Sequence, residues 1–66
     1  DMELIVNGVA EDAPPCTLAE LVERRGLAPG ALVVELNQRI IKQEEWPAVR
    51  LEPGDRLELL SFVGGG

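Results

Sequence analysis

A chain of 66 residues holds one domain at most, and a domain of that size buries only about 60% of the surface its unfolded chain exposes, which leaves little room for a deep catalytic cleft. Its 45% hydrophobic and 27% charged residues are typical of a folding globular protein and well away from the disordered class. Twelve acidic residues against six basic ones, a formal charge of −6, argue against nucleic acid as a partner and leave two uses for the acidic surface: solubility, or faster encounter with a basic protein.

Residues 2–6 form a short strand-former, and Asn7-Gly8 supplies the two positive-φ positions of a type I′ turn, so residues 9–12 are expected to return as the second strand of a hairpin. Ala13-Pro14-Pro15 ends the pairing, because proline has no N–H for a ladder. Thr17 and Glu20 stand at the spacing of a capping box, which places a helix start here. Leu18, Leu21 and Val22 make one apolar stripe, with Glu20 and Arg24 spaced to pair on a more exposed face. Arg24 and Arg25 suit the negative end of the helix dipole, and Gly26 the left-handed position after the helix. At two to three turns this helix is marginal alone and has to dock on a sheet.

Ala28-Pro29-Gly30 turns the chain into residues 31–36, a mostly apolar strand expected to be buried on much of both faces. Residues 37–39 break it, and residues 40–42 offer a short extended piece. Residues 43–47 read as a loop or single helical turn, and Val49-Arg50-Leu51 as another short strand. Glu52-Pro53-Gly54-Asp55 has the residues of a type II turn and leads into the last strand, 56–63. This order has too few helices for a doubly wound fold. It fits an α+β, ubiquitin-like β-grasp: a mixed sheet of four to five strands on one main helix, residues 1–63, with 64–66 as a flexible glycine tail. In that architecture the first and last strands run parallel in the middle of the sheet.

The inventory nearly excludes catalysis within the chain. With no histidine, the usual neutral-pH base is missing, and the paired carboxylates (Glu11-Asp12, Glu44-Glu45, Glu52/Asp55) fall in expected turns or strand ends, where a solvated charge is the simpler reading. No metal and no cofactor is expected, since one cysteine cannot build a thiolate site and no calcium-loop pattern is present. Cys16 reads either as a thiol activated near a helix start or as the outer half of a hydrophobic staple with Leu21, and packing explains it adequately. Trp46 reads as a cover over the edge of the core, with an interface role as the minor alternative. No run of about 18 apolar residues and no signal pattern is found, so no membrane partner and a cytoplasmic location are expected. Asp1 ahead of Met2 reads as an artificial addition to a chain starting at Met2.

Strand alternation puts Leu57, Leu59 and Ser61 on one face of the last strand and Arg56, Glu58, Leu60 and Phe62 on the other. If Leu57 and Leu59 face the helix, Leu60 and Phe62 either form a docking patch or cover a small cluster with Trp46 or Ile5. Gly64-Gly65-Gly66 then carries two readings. It is a frayed end, or it is a reactive handle: a main-chain carboxylate on a tail with no Cβ atoms, able to thread a channel closed to other residues. The lack of other chemistry, and a strand order that makes the tail continue a central strand, favour the handle.

Taken together, several segments resemble the ThiS family, the sulfur carriers of thiamin biosynthesis, over essentially the whole chain. They are the strand and Asn7-Gly8 hairpin, the helix start Thr17-Leu18-Ala19-Glu20-Leu21, and the stretch Leu36-Asn37-Gln38-Arg39-Ile40-Ile41 followed by Trp46. To these add the turn Leu51-Glu52-Pro53-Gly54-Asp55 and the ending Phe62-Val63-Gly64-Gly65-Gly66. Gln38 departs from the pattern, where family members often have glycine. The resemblance implies that Gly66 is adenylated by an ATP-dependent activating enzyme and converted to a thiocarboxylate, with Gly65 and Gly64 letting the tail thread. It implies thiazole synthase as the receiver of the sulfur and a sulfur donor such as a cysteine desulfurase; the chain itself is then no enzyme. The small subunit of molybdopterin synthase is similar in fold, but often has a Pro-Pro pair where this chain has Ser61-Phe62-Val63. A ubiquitin-like protein modifier and a plain binding module are the other classes left open.

Overall fold

The computed structural model describes residues 1–62. The expected glycine tail, Gly64 to Gly66, lies outside the described residues. Five strands form one sheet: β1 (Met2–Val6), β2 (Val9–Ala13), β3 (Leu32–Leu36), β4 (Arg39–Ile41) and β5 (Arg56–Ser61), in the order β2-β1-β5-β3-β4. The helix α1 (Leu18–Arg24) covers one face. β1 and β5 are parallel neighbours at the centre, with Ile5 opposite Arg56 and Val6 opposite Leu57, and the other pairings are antiparallel. The sheet is therefore mixed, as the element order predicts.

Turn chemistry sets the register. Asn7 and Gly8 both have positive φ, 51° and 82°, which closes the first hairpin as a primed turn matched to the right-handed twist of its strands. The same device closes β3–β4, where Asn37 (φ 50°) and Gln38 (φ 69°) fill the two positions. Gln38 thus holds a left-handed conformation that strains a residue with a Cβ. Gly54, at φ 87°, completes the turn before β5.

The helix starts as its sequence dictates. The Glu20 amide donates to Thr17 Oγ1 at 3.2 Å, and the Thr17 amide donates to Glu20 Oε1 at 2.8 Å. That amide, joined by the Thr17 hydroxyl, holds the Glu20 carboxyl below the ordinary carboxylate range. With its carboxylate committed there, Glu20 forms no ion pair with Arg24, contrary to the spacing argument, and feels Arg24 only through its field. Arg25 instead pairs with Glu11 and ties the helix end to β2. Gly26, at φ 68°, ends the helix.

Leu18, Leu21 and Val22 pack on Leu4 and Val6 of β1, Val34 of β3, and Leu57 and Leu59 of β5 in one core, which also takes in Cys16. Cys16 and Leu21 are both buried, as a staple requires. Trp46 is 3% exposed on a 3-10 segment, Gln43–Ala48, and its indole N–H donates to the Ile41 carbonyl at 3.0 Å. Two expectations need correction. β3 is fully buried only at Leu32 and Val34, its other residues being half-buried. Residues 49–51 are not a strand of the sheet: they pair with the segment before the helix through one bridge, Thr17 opposite Arg50. Leu18 N donates to Val49 O at 2.8 Å and Leu51 N to Cys16 O at 3.0 Å, so this segment satisfies backbone that Pro14-Pro15 has carried away from β1.

Two outcomes follow from these local geometries. Replacing Gln38 with glycine relieves the left-handed strain, offset by a more flexible unfolded chain, and is expected to raise stability by about 0.5–1 kcal/mol with an unchanged urea m-value. A folded-state pKa held low means that Glu20 stabilises the protein above its unfolded pKa and loses that effect as the pH falls through the folded one. The stability difference between wild type and Glu20→Gln should therefore be present at neutral pH and vanish in acid, measured by urea titration across the pH range.

Candidate functional site

The site is the end of β5, where the chain approaches its glycines. Past Val6, β1 turns away at Asn7-Gly8 while β5 continues, so the second half of β5 has lost its neighbour on that side. The Asn7 side chain replaces it: Oδ1 accepts from the Leu59 amide at 2.7 Å and extends the parallel ladder by one bond. On the other side β3 stays paired to the end, with Leu32 opposite Ser61, and the Phe62 amide donates to Ala31 O at 2.7 Å. The last described residue is therefore still anchored.

The two faces of this strand differ sharply. Leu57 and Leu59 are buried against the helix, whereas Leu60 is 43% and Phe62 60% exposed on the opposite, uncovered face. The alternation argument places all four correctly. Trp46 is taken up by the core on the helix side, which leaves no tryptophan for Leu60 and Phe62 to cover. Leu60 lies opposite Val33, and one row away Ile40 of β4, 68% exposed, lies opposite Glu35.

Glu35 in turn lies directly opposite Glu58. Glu3 and Asp12 oppose each other in the same way across β1 and β2. Like charges in directly opposed positions cost stability, so the uncovered face combines exposed apolar groups with carboxylates that folding alone would not select. Sequence reasoning named Leu60 and Phe62 but missed Asn7 as a ladder partner and the Glu35–Glu58 row. The first was recoverable from an Asn-Gly turn placed beside a longer parallel neighbour; the second needed the β3–β5 register.

The polar turn at the other end of β5 holds the strand in place. Asp55 accepts from the Glu52 amide at 2.8 Å and from Asn37 Nδ2 at 3.0 Å, and Asn37 Oδ1 accepts from the Arg56 amide at 3.0 Å. No three metal-ligating side chains converge among the described residues, and no helix there is long and apolar enough to cross a membrane. Cys16 is buried in the core, away from the end of β5.

A five-stranded mixed sheet on one helix, with its first and last strands parallel at the centre, is the ubiquitin-like β-grasp class. Residues 3–66 match the model of the ThiS family, and the chain belongs to that family. The crystal structure of the thiamine biosynthesis protein ThiS from Geobacter metallireducens is 33% identical, superposes with a TM-score of 0.83, and is matched over 98% of this chain and 100% of that one. Its solution structure gives a TM-score of 0.80 at the same identity, over 98% and 88% of the two chains. Two curated relatives are thiazole synthases, from Paramagnetospirillum magneticum (30% identical) and Magnetococcus marinus (33%), each matched over 98% of this chain. The chain spans only about a fifth of their length, 20%.

The two faces of β5 predict opposite responses to substitution. Leu57→Ala opens a cavity under the helix and is expected to cost about 2–5 kcal/mol in urea unfolding, whereas Phe62→Asp should stay within about 0.5 kcal/mol of wild type.

Proposed function

We propose that this chain is a sulfur carrier whose C-terminal Gly66 becomes a thiocarboxylate and donates its sulfur to the thiazole ring of thiamin. The observation that carries the reading is the family match, which runs through the glycines to residue 66. Two further findings support the thiamin pathway over the molybdopterin one. The structural relative is named as a thiamine biosynthesis protein, and chains named thiazole synthase contain a segment similar to this one. A carrier-like segment within a longer thiazole synthase chain is what two cooperating proteins would look like when joined. In this reading residues 1–63 are the folded carrier, and 64–66 the tail that enters the partner.

The chemistry has two displacements. An oxygen of the Gly66 carboxylate attacks the α-phosphorus of ATP in the activating enzyme, and pyrophosphate leaves. The resulting acyl-adenylate has AMP as a leaving group in place of an oxide. Sulfur at the sulfide level, supplied by a donor such as a cysteine desulfurase with a thiol reductant, then attacks the acyl carbon; AMP departs and one proton is released. The product is a soft nucleophile on an extended tail, reactive because it is ionised. Gly65 and Gly64 admit the tail to a narrow channel, since neither has a Cβ to clash with its walls. The chain supplies the acyl group and its placement, while its partners supply the catalysis.

Leu60 and Phe62 stand beside the tail on the uncovered face and are the proposed docking contacts, large apolar groups whose burial by a partner would contribute to binding. Incubation with the activating enzyme, ATP and a sulfur donor should add, by intact mass, the increment for one oxygen replaced by sulfur, and deletion of Gly65-Gly66 should abolish it. A lysine conjugate, or full partner binding without modification, would overturn the reading. Phe62→Asp should weaken binding to thiazole synthase at least tenfold, and unchanged affinity would remove this residue from the interface.

A further inference from the structure

On the helix side of the same strand end lies a hollow of about 490 Å³, lined by Asn7, Arg24, Arg25, Leu27, Leu59 and Ser61. It exists because β1 turns away at Asn7 and the short helix stops at Arg24, so the helix-side face of β5, still buried at Leu59, opens at Ser61. Its polar lining is biased toward donors. Both guanidiniums donate only, and the Asn7 oxygen is already taken by the Leu59 amide, which leaves its NH2 group as donor; the Ser61 hydroxyl can do either. Arg25 is committed to Glu11. Arg24 has no hydrogen bond or ion pair among the described residues, and the Glu20 carboxylate one turn earlier is held by the Thr17 amide. Leu27 and Leu59 give the hollow an apolar wall.

We propose that this hollow receives an aspartate or glutamate side chain of a protein that binds the carrier, with Arg24 as its charged partner and the Asn7 amide and Ser61 hydroxyl as further donors. A guanidinium offers a carboxylate two parallel N–H groups, and an apolar wall that excludes water strengthens the pair. The overall charge of −6 argues against a free anion as the occupant, because the field of the whole protein opposes its approach. A carboxylate carried on a protein already docked through other contacts meets no such barrier, since local pairing then decides. The inference rests on the carrier reading for the identity of the partners: the activating enzyme and thiazole synthase are the two proteins to test.

The affinity of the full chain for each enzyme should be measured by calorimetry at low and moderate salt, for wild type, Arg24→Glu, Arg24→Lys and Arg39→Glu. Arg39 begins β4 at the opposite end of the sheet, so its reversal changes net charge equally without touching the hollow. Arg24→Glu should weaken binding to at least one enzyme tenfold or more and flatten its salt dependence, Arg24→Lys should recover part of the loss, and Arg39→Glu should change affinity less than threefold. Equal effects of Arg24→Glu and Arg39→Glu on both enzymes would overturn the proposal. So would saturable shifts of the Asn7 and Ser61 amide resonances on titrating the isolated protein with inorganic phosphate or pyrophosphate, which would make the hollow a free-anion site. The wild-type mass increment is read separately: its absence sinks the carrier reading, whereas an Arg24 effect on binding does not depend on it.

Discussion

Parallel pairing of β1 with β5 at the centre of the sheet is the constraint on which the rest of this protein depends. Two strands at opposite ends of the sequence must meet there, so every segment between them has to cross over or return. The hairpin takes β2 to one edge, the helix crosses one face, and β3 with β4 fills the other edge. The pairing itself is short. Only Ile5 and Val6 oppose β5 residues, through bonds from the Ile5 amide to Asp55 O at 2.9 Å and from the Asn7 amide to Leu57 O at 2.8 Å. It persists because Leu4, Val6, Leu57 and Leu59 on its inner face are buried beneath the helix, and burial of four such side chains outweighs what a few backbone bonds contribute.

The shortness of that pairing has a second consequence. Because β1 ends early and β5 does not, the far end of β5 is held from one side by β3 and from the other by a single asparagine side chain. Asn7 combines two properties rarely needed at once: it tolerates the left-handed turn, and it carries an amide oxygen long enough to stand in for a missing strand. Beyond it, β5 is open to one flank and to the outer face. A last strand hydrogen-bonded at its base and uncovered at its end would suit the proposed carrier, whose last residues are offered to another protein.

Most of the fold is legible in the sequence because its signals are local. Asn7-Gly8, the Thr17–Glu20 box, Gly26 and Pro53-Gly54 each demand one backbone conformation, and each adopts it. Leu57 against Leu60 is decided by alternation alone once the helix is known to cover one face. The failures lie where long-range partners decide. Residues 49–51 look like a strand because Val49 and Leu51 flank a polar residue, but their hydrogen-bonding partner is the segment before the helix and no sheet strand. Glu20 and Arg24 are a different case: they are spaced to pair, but a second local signal, the capping box, takes the carboxylate through the Thr17 amide. The Glu35–Glu58 row and the Arg24 hollow have no local signature, since the first arises from the β3–β5 register and the second from where β1 and the helix stop beside β5.

The outer face shows what the fold alone does not explain. Two like-charge pairs oppose each other across strands, and three large apolar side chains, Ile40, Leu60 and Phe62, stand in water beside one of them. Each feature costs stability or solubility, while a small domain has little of the former to spare. The residues that depart from good folding chemistry are concentrated on the side where β5 carries Leu60 and Phe62 toward the tail, and the donor-rich hollow lies on the reverse of the same strand end. In the proposed reading stability and recognition divide the strand between them: Leu57 and Leu59 are buried in the core, and the exposed Leu60 and Phe62 are the residues proposed to meet a partner.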